Sequence, residues 1–122
     1  MRNMSFALTT PQIKGMTKDV TRRMGWLHLK VGDVVRPVRK GMGLKPGEKI
    51  EQVGHPLFIT NVRRESLSLM LTDDVYGAEE CAREGFPEML PAEFVSMFCK
   101  THKGCTPDSV VTRIEFIYEL TL

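Results

Sequence analysis

The sequence predicts an α+β domain, and three observations carry that prediction. Residues Val110 to Leu120 alternate Thr112, Ile114, Phe116, Tyr118 and Leu120 with Val111, Arg113, Glu115, Ile117 and Glu119, the period-two signature of a long half-buried strand. Two stretches, opening at Thr72-Asp73-Asp74 and at Pro91-Ala92-Glu93, carry helical spacing and end in glycine or basic residues. Earlier in the chain, short apolar runs punctuated by glycine and proline read as further strands. The sum is a mixed sheet or small barrel with two or three helices.

At 122 residues the chain fits one domain, numbered 1–122, long enough for a single core. A hydrophobic content of 42% with 26% charged residues is ordinary for a globular protein and argues against disorder. No apolar run approaches the roughly 20 residues of a spanning helix, and the first residues lack the apolar core of a signal peptide. Three cysteines, Cys81, Cys99 and Cys105, cannot all pair within one chain. A reducing, cytoplasmic setting without membrane contact is therefore expected. The net charge of +2 hides an asymmetry: eleven of the 17 Lys and Arg residues fall between Arg2 and Lys49, whereas residues 73–93 carry seven acids against Arg83 alone. A basic N-terminal half suits an anionic partner.

Element by element, Ser5 to Leu8 reads as a first strand. Thr10 reads as the N-cap of a short helix with Pro11 at its first position and Gly15 as its stop. Val34 to Val38 follows the turn Val31-Gly32-Asp33, with Pro37 marking an edge or bulge. The Gly41–Lys49 stretch is an exposed basic loop that lacks the Gly-Lys-Ser/Thr ending of a P-loop. Ile50 to Val53 and Leu57 to Val62 are two more strand candidates. In the first long helix Val75, Ala78, Ala82 and Cys81 share the face expected to be buried, and Gly85 ends it. In the second, Phe94, Val95, Phe98 and Cys99 form the apolar face before Lys100, His102 and Gly104 close it.

Chemistry concentrates in Lys18-Asp19-Val20-Thr21-Arg22-Arg23. If this segment is extended, Val20 and Arg22 point to one face and Thr21 and Arg23 to the other, with Val20 anchoring inward. Lys18 lies three residues before Thr21, within reach of its hydroxyl if the chain turns, and a lysine beside a threonine and a carboxylate is one way to activate a hydroxyl nucleophile.

Taken in order, Gly15, the Lys18-x-x-Thr21-x-Arg23 run, Gly32-Asp33 before a strand, Glu84 at a helix end and Thr112-Arg113-Ile114-Glu115-Phe116 in a closing strand resemble the ASCH domain. The resemblance spans nearly the whole chain and extends to small ASCH proteins encoded by bacteriophages and prophages. It implies a PUA-like mixed β-barrel of about five or six strands with flanking helices. It further implies a cleft that binds RNA or a modified nucleoside or nucleotide. Small bacterial members hydrolyse N4-acetylcytidine, and their catalytic lysine, threonine and glutamate map onto Lys18, Thr21 and Glu84. This chain departs from them by one extra residue between Gly15 and Lys18 and by the long Gly41–Lys49 loop.

Two functions follow as expectations, a non-catalytic module for RNA or a nucleoside and an amidohydrolase acting on an N-acyl nucleoside. In the second, Thr21 attacks the acyl carbon, Lys18 is its base, and a protonated Glu84 donates to the leaving amine. Arg23 is the expected clamp for a phosphate, carboxylate or base edge, with Arg22 beside it, and Trp26 offers a stacking face for a base or is core packing. Cys99, His102 and Cys105 have the spacing of three zinc ligands, with Cys81 as a fourth. Cys99 however falls on the apolar face of its helix, so no metal and no cofactor is expected.

Overall fold

The protein, described by a computed structural model over residues 1–120, is built around one five-stranded mixed sheet. In chain order the elements are β1 (Arg2–Ser5), α1 (Thr10–Lys14), β2 (Val20–Arg23), β3 (Val34–Val38), β4 (Leu57–Ser66), α2 (Leu69–Thr72), α3 (Asp74–Arg83), α4 (Pro91–Thr101) and β5 (Val110–Tyr118). The sheet order is β1-β3-β4-β5-β2, with β1 parallel to β3 and the remaining pairs antiparallel. The α+β class expected from the sequence is the one adopted. The strands do not close, so β1 and β2 are the two edges of an open, barrel-like sheet.

β4 and β5 form the spine. Their ladder runs from Leu57 opposite Tyr118 to Ser66 opposite Val110, with an irregularity between Ile59 and Asn61 that bends the pair. One core cluster gathers Met4, Phe6, Ile13, Val35, Leu57, Ile59, Ile114 and Phe116; a second, between the sheet and the helices, gathers Leu67, Met70, Cys81, Phe94, Val95, Phe98 and Val111. Among the described residues no helix is long and apolar enough to cross a membrane.

Several local expectations are corrected. The first strand is Arg2–Ser5, not Ser5 to Leu8: Phe6 N still donates to Val38 O, but Phe6 O is then taken by Thr9 N and the Thr10 hydroxyl, which turns the chain out of the sheet. That turn shifts the N-cap of α1 to Thr9, leaving Thr10 and Pro11 as its first helical residues. Ile50 to Val53 contributes only one bridge, Gln52 to Val38, because residues 40–49 loop away before pairing can extend. The closing strand ends at Tyr118, and Leu120 is exposed. Arg113 on its supposedly solvent-facing side is buried.

The largest correction concerns α3. Asp73 caps it as expected, accepting from Tyr76 N at 3.0 Å. Its outward face, however, carries Val75 and the two alanines Ala78 and Ala82. Inward lie Gly77, Glu80 and Cys81, with the capping residue Glu84. The helix turns Glu80 and Glu84 toward the sheet, and leaves Asp74 and Glu79 exposed, because the sheet presents arginines on that side.

Gly77 sits where α2, α3 and α4 meet. A Cβ at this position would lie 2.2 Å from the Met70 carbonyl oxygen and 2.7 Å from Pro91 Cγ. Alanine is favoured over glycine in a helix by about 1 kcal/mol, but overpacking against a backbone carbonyl costs roughly 1–3 kcal/mol or more, so the clash wins. We therefore expect Gly77→Ala to lower the urea unfolding midpoint, whereas Ala82→Gly on the exposed face costs only the helix-propensity difference. A midpoint raised by Gly77→Ala would show that the three helices are not packed this closely.

Candidate functional site

The site begins with a clash of like charges. Cross-strand register places Arg22 of β2 opposite Arg113 of β5, and Arg113 opposite Arg63 of β4, so three arginines form one row across three strands. Like charges directly opposite destabilise a sheet. The compensation comes from α3 and from carboxylates one step along the strands. Glu80 accepts from both Arg22 and Arg113, which reach its Oε1 in short bonds, while Arg113 Nη2 also donates to Glu80 Oε2 at 3.0 Å. Arg22 further donates to Glu84 Oε2 at 3.1 Å and to Glu65 Oε2 at 3.0 Å. Arg63 and Tyr76 both close on Glu65, and Arg113 reaches Glu115 at 2.7 Å. Arg83 then links Glu115 to Asp19.

These ion pairs form a single connected network of five cations and five carboxylates: Lys18, Arg22, Arg63, Arg83 and Arg113 with Asp19, Glu65, Glu80, Glu84 and Glu115. Its interior members are almost wholly removed from water. Burying charges this way is tolerable only when each is paired, since the desolvation penalty rivals the Coulombic gain. Glu80 shows the balance: burial pushes its pKa up, but the hydrogen bonds and charges of Arg113 and Arg22 outweigh it and hold the group down at about 2.

At one end of this network lies Lys18. Its backbone is fixed by Tyr118, whose hydroxyl donates to Lys18 O, while Asp19 N donates to Arg83 O. The side chain, 3% exposed, places Nζ 2.8 Å from Glu84 Oε1 and 2.7 Å from the Glu84 carbonyl oxygen, which closes the C-terminal end of α3 with a cation. Gly85 makes this approach possible: its φ of +100° is unfavourable for other residues, and a Cβ would sit 2.9 Å from Gln12 Cγ. Burial lowers the Lys18 pKa, Glu84 offsets part of that, and Arg23 and Arg22 push in the same direction as burial. Lys18 is thus bonded to Glu84, and among the described residues no hydrogen bond joins it to Thr21, which lines the same cleft.

β2 is extended, as the alternation required, with Val20 fully buried. Thr21 and Arg23 share the opposite face, and Arg23 Nε donates to Thr21 Oγ1 at 3.0 Å. The Arg23 guanidinium lies 4.6 Å over the Phe6 ring. No carboxylate pairs with it among the described residues; Glu84 only partly offsets burial, which brings its pKa down to about 10.

Lys18, Thr21, Arg22, Arg23 and Glu84 all line one cleft of about 340 Å³ beside edge strand β2. The Ser5–Thr9 turn forms one wall; Phe86, Phe94 and the end of α4, from Met97 to His102, form the other. Phe98 and His102 stack there at 4.0 Å between ring centroids, 18° from parallel, with His102 Nδ1 donating to Phe98 O at 2.8 Å. The cleft therefore combines an apolar, aromatic wall with a lysine, a carboxylate, a hydroxyl and a guanidinium. Such a mixture suits a flat heteroaromatic ligand with polar edges.

Two sequence candidates do not fit there. Trp26 is outside the cleft: its positive φ of 53° swings it onto the sheet core, where the Arg2 guanidinium covers the ring at 4.1 Å. Its role is packing. Arg22, though it touches the cleft, has both terminal nitrogens committed to carboxylates, and it positions Glu84 instead of holding a ligand. Cys99 and Cys105 bring their sulfurs to 3.4 Å, but His102 turns away to Phe98, and among the described residues no group of three metal-ligating side chains converges.

Sequence reasoning missed Glu80, Glu65, Tyr76 and the Phe98–His102 pair. Glu80 and Glu84 are four residues apart and so share a helix face, and Arg113 stands in the middle of a long apolar strand; together these were a legible sign of a buried ion pair.

The network sets an acid limit on stability. Glu80 has a folded pKa of about 2 against an ordinary 4.5, so its contribution is complete above pH 4.5 and disappears as pH falls toward 2. Chemical unfolding followed from pH 6 to pH 2 should show stability declining over that window, and a flatter profile in Glu80→Gln from a lower starting point. A wild-type profile flat between pH 4.5 and 2 would mean that Glu80 is not held by the arginines. No protein-family profile, curated protein or solved structure matches the chain, so its function has to be argued from this cleft.

Proposed function

We propose that the chain is an ASCH-type domain whose cleft binds a nucleoside or nucleotide, free or within single-stranded RNA, in the cytoplasm of a cell, a bacterial host if the protein is phage-encoded. The observation that carries this reading is the convergence of Lys18, Thr21, Arg23 and Glu84 on one cleft with an aromatic wall. A base seated against Phe98 and His102 gains stacking contact, and its polar edge meets the Thr21 hydroxyl and the Lys18–Glu84 pair. The separation of roles is physical. Arg22 and Glu80 hold Glu84, Glu84 holds Lys18, and Thr21 with Arg23 faces the ligand.

Calorimetric titration of the four common nucleosides, N4-acetylcytidine and short single-stranded oligoribonucleotides tests this reading. At least one should bind, and Thr21→Val, which keeps the shape but removes the hydroxyl that meets the ligand and accepts from Arg23 Nε, should weaken it by about tenfold or more. Failure of every probe to bind a folded protein would defeat the proposal.

A second reading is hydrolysis of an N-acyl nucleoside, favoured by two details of the same cleft. Lys18 is buried, which lowers its pKa, and its two bonds to Glu84 leave the third position of the amine without a protein partner among the described residues. Thr21 Oγ1 accepts from a guanidinium, which stabilises developing negative charge on that oxygen. In this reaction Lys18 first passes a proton across its 2.8 Å bond to Glu84, and the neutral amine then takes the Thr21 proton as Oγ1 attacks the acyl carbon. Protonated Glu84 gives its proton to the departing exocyclic amine, and water then releases acetate from the threonyl ester. Acetate release from N4-acetylcytidine should be measurable and should vanish in both Thr21→Ala and Lys18→Met. Undiminished turnover in Thr21→Ala would remove the threonine from the chemistry and leave binding as the activity.

A further inference from the structure

The ion network leaves one charge over. Its five cations and five carboxylates are neutral as a set, and the remaining cation lining the cleft, Arg23, belongs to none of the pairs. The Arg23 side chain is nevertheless fixed. Nε is held by the neutral Thr21 hydroxyl and the guanidinium face lies on Phe6, while Nη1 and Nη2 have no hydrogen-bond partner among the described residues. A half-buried guanidinium normally finds a carboxylate, as every interior cation around it does. Here the two unused nitrogens form a held, forked donor at the cleft.

Resting on the binding reading above, we infer that the ligand is anionic and that a phosphate of a nucleotide, not an uncharged nucleoside, is seated on the Nη1 and Nη2 of Arg23. The phosphate supplies the counter-charge that the chain withholds. Burial already lowers the Arg23 pKa to about 10, so a bound anion favours the charged guanidinium and offsets the cost of burying it. Lys18 and Arg22 cannot take this part, since both are neutralised by Glu84 and its neighbours. A phosphoryl oxygen pair matches the fork in two parallel hydrogen bonds, which fixes the orientation of the nucleotide against the aromatic wall.

The test compares each nucleoside with its 3′- and 5′-monophosphates and with a dinucleoside monophosphate, by calorimetry at low salt, on wild type, Arg23→Gln and Lys45→Gln. Wild type and the loop control Lys45→Gln should prefer a monophosphate or the phosphodiester over the matching nucleoside by about tenfold or more. Arg23→Gln should lose that preference, its affinity for the phosphates falling to its affinity for the matching nucleosides. Preference for the dinucleotide would assign the phosphate to an RNA chain, and preference for a monophosphate to a free nucleotide. Arg23→Gln should also unfold at the same or a higher denaturant concentration, because it removes a charge that has no partner in the free protein. Equal binding of nucleosides and phosphates would overturn the inference and leave the binding reading intact. A phosphate preference that survives in Arg23→Gln would also overturn it. No binding of any probe would overturn the binding reading itself.

Discussion

The structure depends on a row of three arginines held across β2, β5 and β4. Left to themselves, Arg22, Arg113 and Arg63 would repel one another across the ladder. They are accommodated because α3 lies over them and brings Glu80 between the first two, with Glu65 and Glu115 supplied from the strands. This explains why α3 buries Glu80 and its capping Glu84 while it exposes Val75 and its alanines. Hydrophobic pattern alone would have rotated the helix the other way, but an unpaired buried guanidinium costs far more than an exposed valine.

The cleft inherits its chemistry from that arrangement. With Glu80 fixed by two arginines, Glu84, one turn further along the helix, is carried to the end of α3, where Arg22 takes one carboxylate oxygen and Lys18 the other. The segment bearing Lys18 is pulled onto the helix end through Asp19 N and Arg83 O, and β2 begins directly after it. An edge strand with one side open then turns Thr21 and Arg23 toward the space left between the Ser5–Thr9 turn and α4. Charges paired with carboxylates and a charge left without one are thus divided at a single residue boundary, between Arg22 and Arg23.

The two core clusters meet at this place. Phe6 belongs to the sheet core and Phe94 and Phe98 to the helical core, and all three line the cleft. The seam between two apolar clusters is where packing is incomplete, and filling it with polar side chains on one side and rings on the other makes a pocket without opening either core.

Much of this was legible in the residues. The apolar run from Leu57 to Val62 and the alternation from Val110 to Leu120 identified two strands, Asp73 and Pro91 marked helix starts, and the spacing of Lys18, Thr21 and Arg23 singled out a segment that lines the cleft, because each of these signals is set by neighbours within a turn or two of chain. What the sequence by itself determined was therefore the inventory: which segments are strands or helices, and which segment brings polar groups to the cleft. Only the tertiary structure decided partners. Lys18 chose Glu84, sixty-six residues away, over Thr21; Trp26 went to the core; and Arg22, adjacent to Arg23, was consumed by carboxylates from α3 and β4. Local periodicity records how a residue faces its own element, whereas the pairing of a buried charge is fixed by register across strands and by the helix laid over them, and neither is written in any short stretch of sequence.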